Sequence, residues 1–82
     1  MRQSVNNYEL VYEYLKQKYK RATIGKKEMA VELGVSLSTI DLYISKNMGI
    51  PRYRKLGKAK NAKVVFSIVD VAEFLSQTIE TM

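Results

Sequence analysis

The chain predicts an α+β domain, mostly helical. Three observations point there. Apolar residues recur at spacings of three and four over 6–21, 24–46 and 68–80, the period of an amphipathic helix. Over 53–66 that period gives way to the alternation of short strands. All four glycines and the single proline fall at the junctions. At 82 residues the chain has room for one domain and one small core.

The first helix, 6–21, stacks Tyr8, Val11, Tyr12, Leu15 and Tyr19 on one face. Asn6 or Asn7 suits its N-cap, and Lys16, Lys18, Lys20 and Arg21 suit the negative end of its dipole. Leu10 and Tyr14 fall on a second flank, which either widens the buried stripe or forms a dimer contact. Residues 22–25 read as a break. A second helix runs Lys26–Leu33, with Met29, Ala30 and Leu33 apolar, and Gly34 stops it by accepting the left-handed conformation. Ser36 is the N-cap type for a third helix through Lys46, with Ser38 as an alternative start and Ile40, Tyr43 and Ile44 inward. The residue before Pro51 is biased away from helix. Tyr53–Gly57 and Lys63–Phe66 read as two strands of a hairpin whose tip has turn composition. Ser67 and Asp70 resemble a capping box for the last helix, 68–80, with Val71, Phe74, Leu75 and Thr78 or Ile79 inward.

Composition removes much chemistry. With neither Cys nor His, there are no disulfides, thiolate or imidazole metal ligands, Cys nucleophiles or Ser-His-Asp triads. Gly25-Lys26 echoes a phosphate-binding loop, but Lys20 stands where its first glycine belongs and Lys27 where its Ser/Thr belongs. Glu28 and Glu32 share a helix face without a third carboxylate beside them, so no metal site or cofactor is expected. The chain reads as a non-enzyme with no membrane span and no secretory signal, and the missing cysteines suit a reducing cytosol.

The charge is concentrated. Arg52, Arg54, Lys55, Lys58, Lys60 and Lys63 lie between Pro51 and Lys63 with no acid among them, and they equal the whole net charge of +6. A local basic run on an otherwise balanced domain suggests a polyanion contact. Immediately before it lies the pattern of a helix-turn-helix. Ala30 is small enough for a close helix crossing, Gly34 follows four residues later in the turn, and Ile40, Tyr43 and Ile44 line the inner face of the second helix. That geometry offers the outer face of the second helix to a DNA major groove. Candidate contacts are Ser36, Ser38 and Thr39 in its first turn, Asp41, Leu42 and Lys46 along it, and Lys26 and Lys27 at the start of the preceding helix. On the hairpin the candidates are Arg52, Arg54, Lys58, Lys60 and Lys63, with strand alternation sending only some of them to one face. Asp41 can accept from a cytosine amine or pair with a nearby lysine.

The segments KKEMAVELGVSLSTIDLYISKNMGIPRYRKLG and VVFSIVDVAEFL resemble the winged helix-turn-helix domains of the excisionase and MerR-like group, including small AlpA-type regulators. The matching positions include Glu28, Ala30, Leu33, Gly34, Val35, Ser36, Ser38, Thr39, Ile40, Pro51, Lys55, Gly57, Phe66, Asp70, Val71, Phe74 and Leu75. The likeness runs from Ile24 to Leu75 and leaves the N-terminal helix outside. Asp41-Leu42 departs from the polar and basic pair common at that point in the family. The resemblance implies a winged helix-turn-helix with a two-stranded wing and an extra N-terminal helix. It further implies a cytoplasmic double-stranded-DNA-binding protein, acting in transcription regulation or as a recombination directionality factor alongside an integrase. The alternative is a protein-interaction module on the same fold, using Leu10, Tyr14 and Leu42. A homodimer through one of those three residues is a further expectation.

Overall fold

The computed structural model describes residues 7–58 and 62–80, with side chains as far as residue 77. The elements are α1 (Asn7–Tyr19), β1 (Thr23–Gly25), α2 (Lys26–Leu33), α3 (Leu37–Lys46), β2 (Arg54–Leu56), β3 (Lys63–Ser67) and α4 (Ile68–Glu80). It is a small α+β domain of four helices and a three-stranded antiparallel sheet in the order β1-β3-β2.

The break expected at 22–25 is a strand. Thr23 and Ile24 are β-branched, and Ile24 buries its side chain opposite Phe66 as β1 pairs with β3. The sheet is therefore three-stranded rather than a two-stranded hairpin alone. Strand β3 occupies its centre and alternates strictly, with Val64 and Phe66 turned into the core and Lys63, Val65 and Ser67 turned away.

Helix α1 ends two residues earlier than its lysine and arginine run suggests. Lys20 takes a left-handed φ of 56° while its N–H still reaches Lys16 O at 2.9 Å. Arg21 turns back instead, donating to Thr23 O at 2.9 Å and pairing with Glu28. The N-cap position Asn6 lies outside the described residues, and Asn7 is the first residue of the helix. Helix α1 lies along α4, and Leu15 is fully buried between the elements. The wide buried stripe does not form: Leu10 is 59% exposed and Tyr14 is 49% exposed. The Tyr14 hydroxyl accepts from Lys18 Nζ at 3.0 Å.

The helix pair at the centre follows the sequence closely. At the end of α2, Gly34 adopts φ 72°, and the Val35 N–H reaches back to Ala30 O at 3.0 Å. That turn leads the chain from α2 into α3, which packs against it, and Ala30 is buried. Ser36 caps α3 by accepting from Thr39 N, and Asn47 closes it in the left-handed region with φ 53°. Ile40 is fully buried, while Tyr43 and Ile44 are half-buried against the core. The Tyr53 ring tilts against Phe66 with centroids 6.0 Å apart. Ser67 caps the start of α4 through Val69 N at 3.1 Å, but Asp70 does not complete a box; its carboxylate faces the Arg52 guanidinium at 3.6 Å. Val71 and Ala72 are buried, Phe74 and Leu75 are half-buried, and the side chains of Thr78 and Ile79 lie outside the described residues.

Candidate nucleic-acid interface

Strand register decides which bases of the 51–63 run can act together. Cross-strand partners share a face of a sheet. Lys55 pairs with Val64, whose side chain is buried on the helix side, whereas Arg54 pairs with Val65 and Leu56 with Lys63 on the other side. The hairpin thus divides its charges. On the outer side, Arg54 borders a hollow of about 490 Å³ with Thr23, Leu56, Val65 and Ser67. A second hollow, of about 510 Å³, lies where the start of β3 meets the helix pair. Lys26 and Lys27 from α2, Leu37 from α3, and Ala62, Lys63 and Val64 from β3 line it.

Lysines of two elements therefore meet at the first residue of α3. Leu37 stands 39% exposed at that point. Beside it the three hydroxyls form a cluster of their own. Ser36 Oγ lies 3.1 Å from Ser38 Oγ and 2.9 Å from Thr39 Oγ1. Ser36 is committed to its cap, which leaves the exposed Ser38 hydroxyl and half-buried Thr39 at the outer rim.

Other candidates are engaged with acids. Lys26 Nζ holds Asp41 Oδ1 at 2.7 Å, which ties the start of α2 to the middle of α3. Arg52 leans toward α4, with Asp70 and Glu73 each at 3.6 Å, so it leaves the group around Leu37. Leu42 is 49% exposed, and Lys46 is exposed at the last turn of α3. Lys58 is exposed just beyond β2, and Lys60 lies outside the described residues. Sequence reasoning passed over Lys55 and Leu37 as site residues. The signal for Lys55 was its register opposite Val64, and that of Leu37 was its place directly after the cap.

Two carboxylates of α2 organise the flank of this site. Glu28 accepts from Gly25 N at 2.7 Å and pairs with Arg21. The Gly25 N–H, aided by Arg21 and Lys63, holds its carboxyl below the ordinary carboxylate range against the opposing effect of burial. Glu32 accepts from Lys18 Nζ at 2.8 Å and from the Tyr19 hydroxyl. Burial pushes the Glu32 carboxyl up, but the Lys18 and Tyr19 hydrogen bonds outweigh it and leave the group below its ordinary range. The same contact raises Lys18, chiefly through its bond to Glu32, while burial and then Glu32 push the Tyr19 phenol up to about 12. Both carboxylates are thus taken up in the joint between α1, β1 and α2. Among the described residues no group of three acids, His or Cys could hold a metal ion, and no helix is long and apolar enough to cross a membrane.

Comparison with protein-family models, with curated proteins and with solved structures gives no match to this chain.

Proposed function

We propose that the chain is a double-stranded-DNA-binding protein of winged helix-turn-helix type, with α3 as recognition helix and the β2–β3 hairpin as wing. The observation that carries this reading is the hollow at the start of β3, which Lys26, Lys27 and Lys63 line together with the exposed Leu37 of α3. A helix start rimmed by lysines and hydroxyls matches the chemistry of a phosphate backbone beside base edges. Lys55 shares its face of the hairpin with Val64, which also lines that hollow. The biological role proposed on the sequence resemblance is that of a small cytoplasmic transcription regulator or recombination directionality factor. A second reading, a protein-interaction module, draws on exposed Leu42, Val31 and Met48 and on the neutralisation of Lys26 by Asp41.

Fluorescence anisotropy on specific and scrambled duplexes across a salt series separates the two. Replacing Lys58, Lys60 and Lys63 by Ala should weaken binding to every duplex and flatten the log–log salt slope by up to about three, since each phosphate contact contributes about 0.9. Lys55→Ala should weaken it more than Arg54→Ala, because the two side chains stand on opposite faces of β2. Ser38→Ala or Thr39→Ala should cost more on the preferred site than on scrambled DNA. If the triple variant binds scrambled duplex as tightly as the parent at every salt, the DNA reading fails and the interaction module replaces it.

A further inference from the structure

The leucine at the first residue of α3 breaks the pattern of its neighbours. Leu33, Val35, Ile40 and Ile44 all turn toward the core, whereas Leu37 remains 39% exposed. Lys26, Lys27 and Lys63 line the same hollow as Leu37. The acid in its wall, Glu28, is taken up by Gly25 N and Arg21. The hydroxyl beside it is engaged as well, since Ser36 Oγ accepts from Thr39 N and lies 3.1 Å from Ser38 Oγ. Leu37 is thus an apolar group among cations, with neither a charge nor a hydrogen-bonding side chain to offer a phosphate. A DNA duplex presents one apolar group at its major-groove edge, the C5-methyl of thymine. That methyl lies on the side of the base nearest its own strand's backbone, so a side chain that meets it has phosphates close by. A helix in the major groove contacts base edges with its N-terminal residues. That singles out Leu37 over exposed Leu42, which stands more than a turn further along α3.

We propose that Leu37 is a specificity residue that packs on the C5-methyl of one thymine, with the surrounding lysines on the flanking phosphates. The inference rests on the DNA reading of the same site and narrows it by naming the base. Cytosine lacks the methyl, and so does the major-groove edge of either purine. The worth of the contact is that of one buried methyl group, about fourfold in affinity. Leu37 carries no charge, so its share does not depend on salt as a phosphate contact from Lys63 does.

The test sets thymine against deoxyuridine, which differ only in that methyl. The full chain selects a duplex from a randomised pool, and the selected duplex is rebuilt with each thymine replaced singly by deoxyuridine. Fluorescence anisotropy of the parent should show a loss of about fourfold at one position. Leu37→Ala should bind the thymine and deoxyuridine forms of that position equally, with its salt slope unchanged. Its urea midpoint should stay near that of the parent, as expected for an exposed position, and the change on the DNA side leaves the protein untouched in any case. A parent that binds every duplex alike, or treats deoxyuridine as thymine at every position, overturns the proposal. So does a Leu37→Ala variant that keeps the preference, or a preference erased by Leu42→Ala instead. Each of those results leaves the DNA reading standing. A parent that binds no duplex even at low salt overturns both.

Discussion

Tyr19→Phe isolates one bond of the α1–α2 joint. The substitution keeps the half-buried ring and removes only the hydroxyl that donates to Glu32. The Glu32 side chain is 5% exposed, so water replaces the lost donor poorly. A hydrogen bond to a charged group contributes about 1.5–3 kcal/mol net, and the remaining Lys18 contact and the half-exposed phenol bring the expected loss to about 1–2 kcal/mol. In a domain of this size 1 kcal/mol moves the melting temperature by about 4–8 °C. The loss should depend on pH in a definite sense. The folded-state pKa of Glu32 is depressed, so its contribution is present above the unfolded value and disappears as pH falls through the folded one. The Tyr19 phenol is raised from 10.0 to about 12, so its contribution is complete below pH 10 and vanishes as pH climbs toward 12. Urea unfolding of parent and variant should therefore differ most near neutrality, with the gap closing at both extremes. A gap that stays constant across that range would mean that the hydroxyl acts through packing and not through the carboxylate.

Ala30→Leu forces a larger side chain into the buried core beneath α2 and should lower stability by about 1–3 kcal/mol, read as a lower urea midpoint. An unchanged midpoint would show that the core around Ala30 has room for the larger side chain. Asp41→Asn releases Lys26 from its 2.7 Å ion pair and should tighten binding to any duplex while steepening the salt slope by up to about one, measured by the same anisotropy series. Weaker binding on scrambled DNA after this change would refute the view that Asp41 holds Lys26 back.

Local chemistry made much of this fold legible. The bounds of α2, the left-handed turn at Gly34 and the Ser36 cap all depend on residues within four positions of one another, and all appear as the spacing implies. The missing strand did not. Three residues are too few to show a period, and β1 exists because β3 offers it an edge forty residues later. The end of α1 was obscured for a related reason, since its basic run suits a helix terminus while Arg21 is drawn off by Thr23 and Glu28. At the candidate site, residue types were readable but their pairings were not. A nearby lysine was one of the two partners expected for Asp41, but that it is Lys26, and that Arg52 turns to Asp70 and Glu73, arises from distances between elements that no periodicity encodes. The faces of the hairpin became assignable only once Val64 was seen to be buried.

The pairing of β1 with β3 also sets how the molecule can come apart. Strand β3 is bonded on both sides, and α2 and α3 lie in the loop that its pairing with β1 closes. The hairpin of β2 and β3 is a local contact that can re-form quickly, whereas the outer pairing must close some forty residues of chain. The helix pair is thus held in a clasp. Its two helices cannot drift apart while Ile24 remains beside Phe66, and once that contact parts, the enclosed segment loses its frame at a stroke. Amide protons near the clasp should exchange with solvent together and late.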